Sequence, residues 1–111
     1  DKFKSKFPRY KKSHPNEVMA VVDNLDTYQG ALRAGAKPMI VHFGFLHREP
    51  QGVVAIDQSG GEGSLKETRL YAYPDEGENT IHLITIGDKG TQSDDLEDCR
   101  KFVKEIRKGA E

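Results

Sequence analysis

Phe3, Phe7 and Tyr10 recur at i, i+4 and i+7, the spacing of one helical face. Ser5 is placed to cap this first helix, with Pro8 tolerated in its opening turn. Ser13-His14-Pro15-Asn16 reads as a break and restart, with Ser13 as the second cap and Glu17 near the positive end of the new helix. Val18, Val21, Val22, Leu25, Tyr28 and Leu32 then make one apolar stripe through about four turns, ended by Gly35 and Pro38. The first 35 residues are thus a helix pair or a bent helix.

The period changes at Met39. Met39-Ile40-Val41-His42-Phe43 and Val53-Val54-Ala55-Ile56 are β-rich, with a loop or irregular edge over 44–50 between them. Residues 59–64 are glycine-rich and read as a turn. Along 65–73 the residues alternate, so Glu67, Arg69, Tyr71 and Tyr73 share one face. Pro74 to Asn79 is a hairpin turn. Residues 80–86 are apolar at both parities, which predicts a central strand. After a polar loop over 87–92, Ser93 is placed to cap a last helix, whose Leu96, Cys99, Phe102, Val103 and Ile106 face the sheet. Gly109 stops that helix. No internal repeat appears. The order predicts an α+β domain: two N-terminal helices, an antiparallel sheet of about four strands and a C-terminal helix.

Composition narrows the class. At 111 residues the chain allows a single domain, 1–111. Leu, Val, Ile and Phe total 25, enough for a small core under a surface that is 32% charged. The apolar runs are too short to span a membrane, and no signal-peptide pattern opens the chain. The chain starts at Asp1 rather than Met, so a further element before it is expected to be possible. A lone cysteine excludes a disulfide framework and a cysteine-based zinc site, which points to a reducing, cytoplasmic setting. Cys99 itself lies on the apolar stripe and reads as a core thiol. The four histidines lack metal-ligand spacing, although His42 and His47 can meet across a bend; no metal or other cofactor is expected.

The net charge of −1 hides an asymmetry. Residues 1–50 hold nine Lys/Arg against five Asp/Glu, and residues 51–111 hold eight against thirteen. The basic excess sits in Lys2, Lys4, Lys6, Arg9, Lys11 and Lys12. Lys4, Lys11 and Lys12 are candidates for binding phosphate or an acidic partner, against the plainer reading of a solvated helix face.

No P-loop, dinucleotide fingerprint or HExxH motif is present. What remains is a polar cluster that strand pairing can assemble. Arg69 and Lys89 can clamp a phosphodiester and stabilise charge on its oxygens. His82 or Asp88 can move a proton. The alternative is structural: Arg69 pairs with Glu67 or Asp88, His82 packs against a helix, and Lys89 is solvated.

Three pieces of sequence add a resemblance. Leu65-Lys66-Glu67-Thr68-Arg69-Leu70 resembles the "LKELR" strand of the RelE/ParE superfamily of toxin–antitoxin toxins, and in particular of HigB-like members. Ile81-His82-Leu83-Ile84 resembles the following β-pair, and Ile86-Gly87-Asp88-Lys89-Gly90 its strand end before the last helix. The match covers 64–106, and residues 42–61 look like an insertion. The resemblance implies a toxin held inactive by a cognate antitoxin; without that partner, an uncovered edge strand is expected to pair with itself and give a homodimer. In the mRNA-cleaving branch the toxin acts with the ribosome as an endoribonuclease, promoting attack of a ribose 2′-hydroxyl on the adjacent phosphate. Arg69 then takes the family's phosphate-binding role and Lys89 the motif lysine's, with Lys66, Thr91 and Gln92 on the substrate. Gln92 stands where one branch has a titratable His. Ribosome-directed members are strongly basic, whereas this chain is slightly acidic, and 107–111 contain no Tyr or His. A second branch inhibits DNA gyrase by protein contact and needs no base, so the catalytic reading, the contact reading and that of a degenerate member with a purely structural polar cluster all stand.

Overall fold

A computed structural model describes residues 2–59 and 67–110. Two N-terminal helices, α1 (Lys2–Ser13) and α2 (Pro15–Arg33), precede four strands, β1 (Leu46–Arg48), β2 (Val54–Asp57), β3 (Thr68–Asp75) and β4 (Thr80–Asp88). The C-terminal helix α3 spans Gln92–Ala110. The strands form an antiparallel meander in the order β1-β2-β3-β4, so the domain is α+β as predicted.

Helices cover both faces of the sheet. On one face, Val18, Val21 and Tyr28 of α2 meet Val54, Ile56, Leu70 and Ile86, with Phe3, Phe7 and Tyr10 of α1 packed beside them. On the other, Cys99 and Val103 of α3 meet Ala55, Tyr71 and Ile84. Each fully buried Ile or Leu here is worth roughly 2 kcal/mol of transfer free energy. This two-sided cover corrects the placement of β4. It is an edge strand, and it is apolar at both parities because α1 and α3 pack against it from opposite sides. Among the described residues no helix is long and apolar enough to cross a membrane.

Three predicted caps move. Helix α1 runs from Lys2 with Pro8 inside it, so Ser5 does not start it. The Phe3–Phe7 contact, with ring centroids 4.9 Å apart, extends the helix before Ser5 and offsets the hydrogen bond lost at Pro8. Ser13 closes α1 rather than opening α2. His14 is the N-cap, without a side-chain cap, and Pro15 takes the first turn, where a missing N–H is harmless. Asp88, rather than Ser93, caps the C-terminal helical segment, through a short 3-10 turn over Lys89–Thr91 that leads into α3.

The first strand also shifts. Met39–Phe43 is not a strand. Gly35, at φ +105, turns the chain out of α2, and the N–H groups of Ile40 and Val41 bond Lys37 O. Arg48 then donates from Nε to Met39 O at 2.8 Å and from Nη2 to Val41 O at 2.6 Å. These carbonyls are taken by a guanidinium rather than by a neighbouring strand. Pairing begins only at Leu46, in the stretch expected to be loop. The predicted insertion, 42–61, supplies β1 and β2, and β2 lies inside the sheet.

Candidate functional site

The open end of the β3–β4 hairpin gathers most of the predicted residues. The register sets Thr68 opposite Asp88 and Arg69 opposite Gly87, with Lys89 next in the chain. Arg69 shares its face with Tyr71, the α3 side, and its side chain is 21% exposed. Nη2 lies 3.3 Å from Glu67 Oε1 and Nη1 lies 3.8 Å from Glu49 Oε2. Asp57 is its cross-strand neighbour on β2. Nε is buried without a hydrogen-bond partner, as is the hydroxyl of fully buried Tyr71. The guanidinium is therefore held between two carboxylates, Glu67 just before its own strand and Glu49 just past the end of β1.

Asp88 and Thr91 form a reciprocal cap. Thr91 N donates to Asp88 Oδ1 at 3.1 Å, and Asp88 N donates to Thr91 Oγ1 at 3.1 Å. The Thr91 hydroxyl in turn donates to Asp95 Oδ2 at 2.7 Å. Gln92 is half-buried, and its N–H closes the 3-10 turn on Lys89 O. Lys89 is exposed.

His82 is not brought to this end. It lies opposite Tyr73, four positions along β3 from Arg69, or about 13 Å at the rise of an antiparallel strand. Its ring sits between Tyr73 and Phe102, with centroids 6.2 and 5.6 Å away, and Nε2 lies 3.7 Å from Asp75 Oδ2. Lys4, Lys11 and Lys12 are exposed on α1, away from the sheet. Lys66, with Leu65 of the same motif, lies outside the described residues.

Two clusters escaped the sequence reading. Lys6, grouped there with the surface lysines, turns inward: Nζ donates to Asp95 Oδ1 at 2.6 Å and to Thr85 Oγ1 at 3.2 Å. Asp95 is 1% exposed, so Lys6 and Thr91 together satisfy a buried carboxylate. The partners are 89 positions apart, and no local pattern announces them. Thr91 and Asp95 stand four apart at a helix start, the one spacing in the cluster that is local.

The second cluster is His47 on β1, whose Nε2 donates to Asp57 Oδ2 at 2.5 Å. Burial pushes the Asp57 carboxyl up, but hydrogen bonds from Ser59 and His47 outweigh it, so the group titrates below its ordinary 3.8. A depressed carboxyl contributes stability that is complete above 3.8 and is lost as the pH falls through its lower folded value. Melting temperature measured against pH is expected to fall more steeply below about pH 4 in the parent than in Asp57→Asn; parallel curves would remove this contribution.

Cys99 is buried in the α3-side core. Burial, with Asp95 and Asp98 adding to it, pushes its thiol up to about 12, the opposite of an activated nucleophile. A cavity of about 480 Å³ opens at the far end of the molecule, between the end of α2 and the β3–β4 turn, away from Arg69. Among the described residues no group of three His, Cys, Asp or Glu side chains is placed to hold a metal ion.

Comparison of the chain with family models, with curated proteins and with solved structures finds no match.

Proposed function

We propose that the chain is the toxin component of a RelE/ParE-type, HigB-like toxin–antitoxin pair. It works in the bacterial cytoplasm under a cognate antitoxin, and it acts by protein contact rather than by cleaving mRNA. The element order and the three motif pieces support the family. The observation that sets the contact reading above the cleaving one is the Arg69 guanidinium held between Glu67 and Glu49. An incoming phosphodiester must displace two carboxylates that repel it, in a molecule without the positive field that draws RNA. Asp88 and Thr91 support the same reading, since each serves the other's cap. Of the predicted catalytic set, His82 alone lies elsewhere, on the far part of the hairpin.

The test is induced expression in a bacterial host, with growth and ribosome-bound transcript integrity followed together for the parent and for Arg69→Ala. Growth arrest with intact transcripts is expected, with Arg69→Ala arresting to within about twofold of the parent at matched protein levels. A nuclease relying on this cation would lose on the order of 100-fold in activity. Transcript cleavage that Arg69→Ala abolishes would replace the contact reading with the endoribonuclease one. Unimpaired growth would remove the toxin reading altogether.

A further inference from the structure

The segment from Pro38 to His47 carries no Lys, Arg, Asp or Glu, in a chain that is 32% charged. Its tip is at the surface: Ile40 is 74% exposed and Met39 41%. These two residues follow directly on Lys37 and Pro38, which form one wall of the 480 Å³ cavity. Its lining is mixed, with the apolar side chains of Leu32, Pro74 and Ile81 among polar and charged ones. Its rim has opposite charges on its two sides, Arg33 and Lys37 from the end of α2 and Asp75 and Glu76 from the hairpin. Lys37 and Glu76 stand 3.8 Å apart across the mouth, 67% and 58% exposed, a pair worth little in isolation.

An apolar knob beside a hole that offers Leu32, Pro74 and Ile81 between cationic and anionic side chains is self-complementary. A two-fold axis through such a patch sends each knob into the other copy's hole and sets each cation against the other copy's anion. A free anion suits the rim poorly because Asp75 and Glu76 face it.

We propose that this end of the molecule is a homodimer interface, with Met39 and Ile40 of one copy seated in the cavity of the second and Lys37 facing Glu76 of the partner subunit. The proposal stands independently of the toxin reading. It uses the α2–hairpin end and leaves the sheet edge and the Arg69 end uninvolved.

Sedimentation velocity of the purified chain across a wide concentration range tests it. Reversible dimerisation is expected, with Ile40→Asp raising the dissociation constant by about tenfold or more, as for a central anchor. Lys37→Glu and Glu76→Lys are each expected to weaken the dimer, and the double reversal Lys37→Glu/Glu76→Lys to restore it. Circular dichroism and thermal melts verify that each variant folds, as the exposure of all three side chains implies. A strict monomer at the highest concentration, or a dimer indifferent to all four variants, would overturn the proposal.

Discussion

Replacing Gly87 by alanine is expected to cost about 3 kcal/mol and to lower the melting temperature by about 12 °C, a larger effect than its single added methyl group suggests. Gly87 is the last residue of β4 before the Asp88 cap, directly opposite Arg69. A Cβ there would overlap Asp95 Oδ2 and Thr91 Oγ1 and would sit 3.0 Å from Asp95 Cγ. Neither oxygen can withdraw cheaply. The Thr91 hydroxyl accepts from Asp88 N and donates to Asp95, and the Asp95 carboxylate is also held by Lys6. The glycine is therefore required by close approach of a side chain and not by its backbone angles. This gives a discriminating comparison. In an Asp95→Ala background, where most of the overlap is gone, Gly87→Ala should cost markedly less than in the parent. Equal costs in chemical denaturation would show that the glycine serves some other purpose.

The same cluster marks where reading the sequence stops. Periodicity was enough for α2 and α3, because their apolar stripes recur at helical spacing and pack one face onto the sheet. It also found β3 and β4, where alternation or a two-sided apolar run coincides with real pairing. It failed at Met39–Phe43, whose β-branched and aromatic residues are as strand-like as those of β2. There the outcome was decided by Arg48, whose donors take the carbonyls of Met39 and Val41. Propensity measures fit to a pleated surface and says nothing about which donor reaches a carbonyl first. The candidate site was legible in part for a related reason. Strand register follows from the hairpin, so the juxtaposition of Arg69 with the Gly87–Lys89 end could be anticipated. Glu67 was a foreseeable partner two positions away on the same face. Glu49 was not, because its approach depends on β1 and on the turn into β2. Lys6 was misgrouped because charge counting cannot separate a lysine facing water from one whose stem lies along the core and whose tip meets a buried carboxylate.

That lysine carries the other large effect. Lys6→Met is expected to cost about 3 kcal/mol, because removing one member of a buried pair strands the other. The two members are unequal. Asp95 is 1% exposed and would keep only the Thr91 hydroxyl and its place in the first turn of α3, whereas Lys6 is 25% exposed and can turn its ammonium toward water. Asp95→Leu should therefore cost less, about 1 kcal/mol, an inversion of the usual rule that the more buried residue is the more expensive to replace. The double variant Lys6→Met/Asp95→Leu is expected to recover most of the loss, since apolar groups of similar size meet where the charges did. Unfolding free energies of the four proteins, from urea titrations with unchanged m-values, close the cycle. The pair also joins α1 to α3 past the edge of β4, so its loss should be felt locally as well as globally. Amide exchange in α1 is expected to accelerate more in Lys6→Met than exchange in β2, which lies inside the sheet. If α1 and β2 accelerate together, the pair contributes only to global stability. If the Lys6→Met cost falls below that of Asp95→Leu, a stranded buried carboxylate is not what makes loss of the lysine costly.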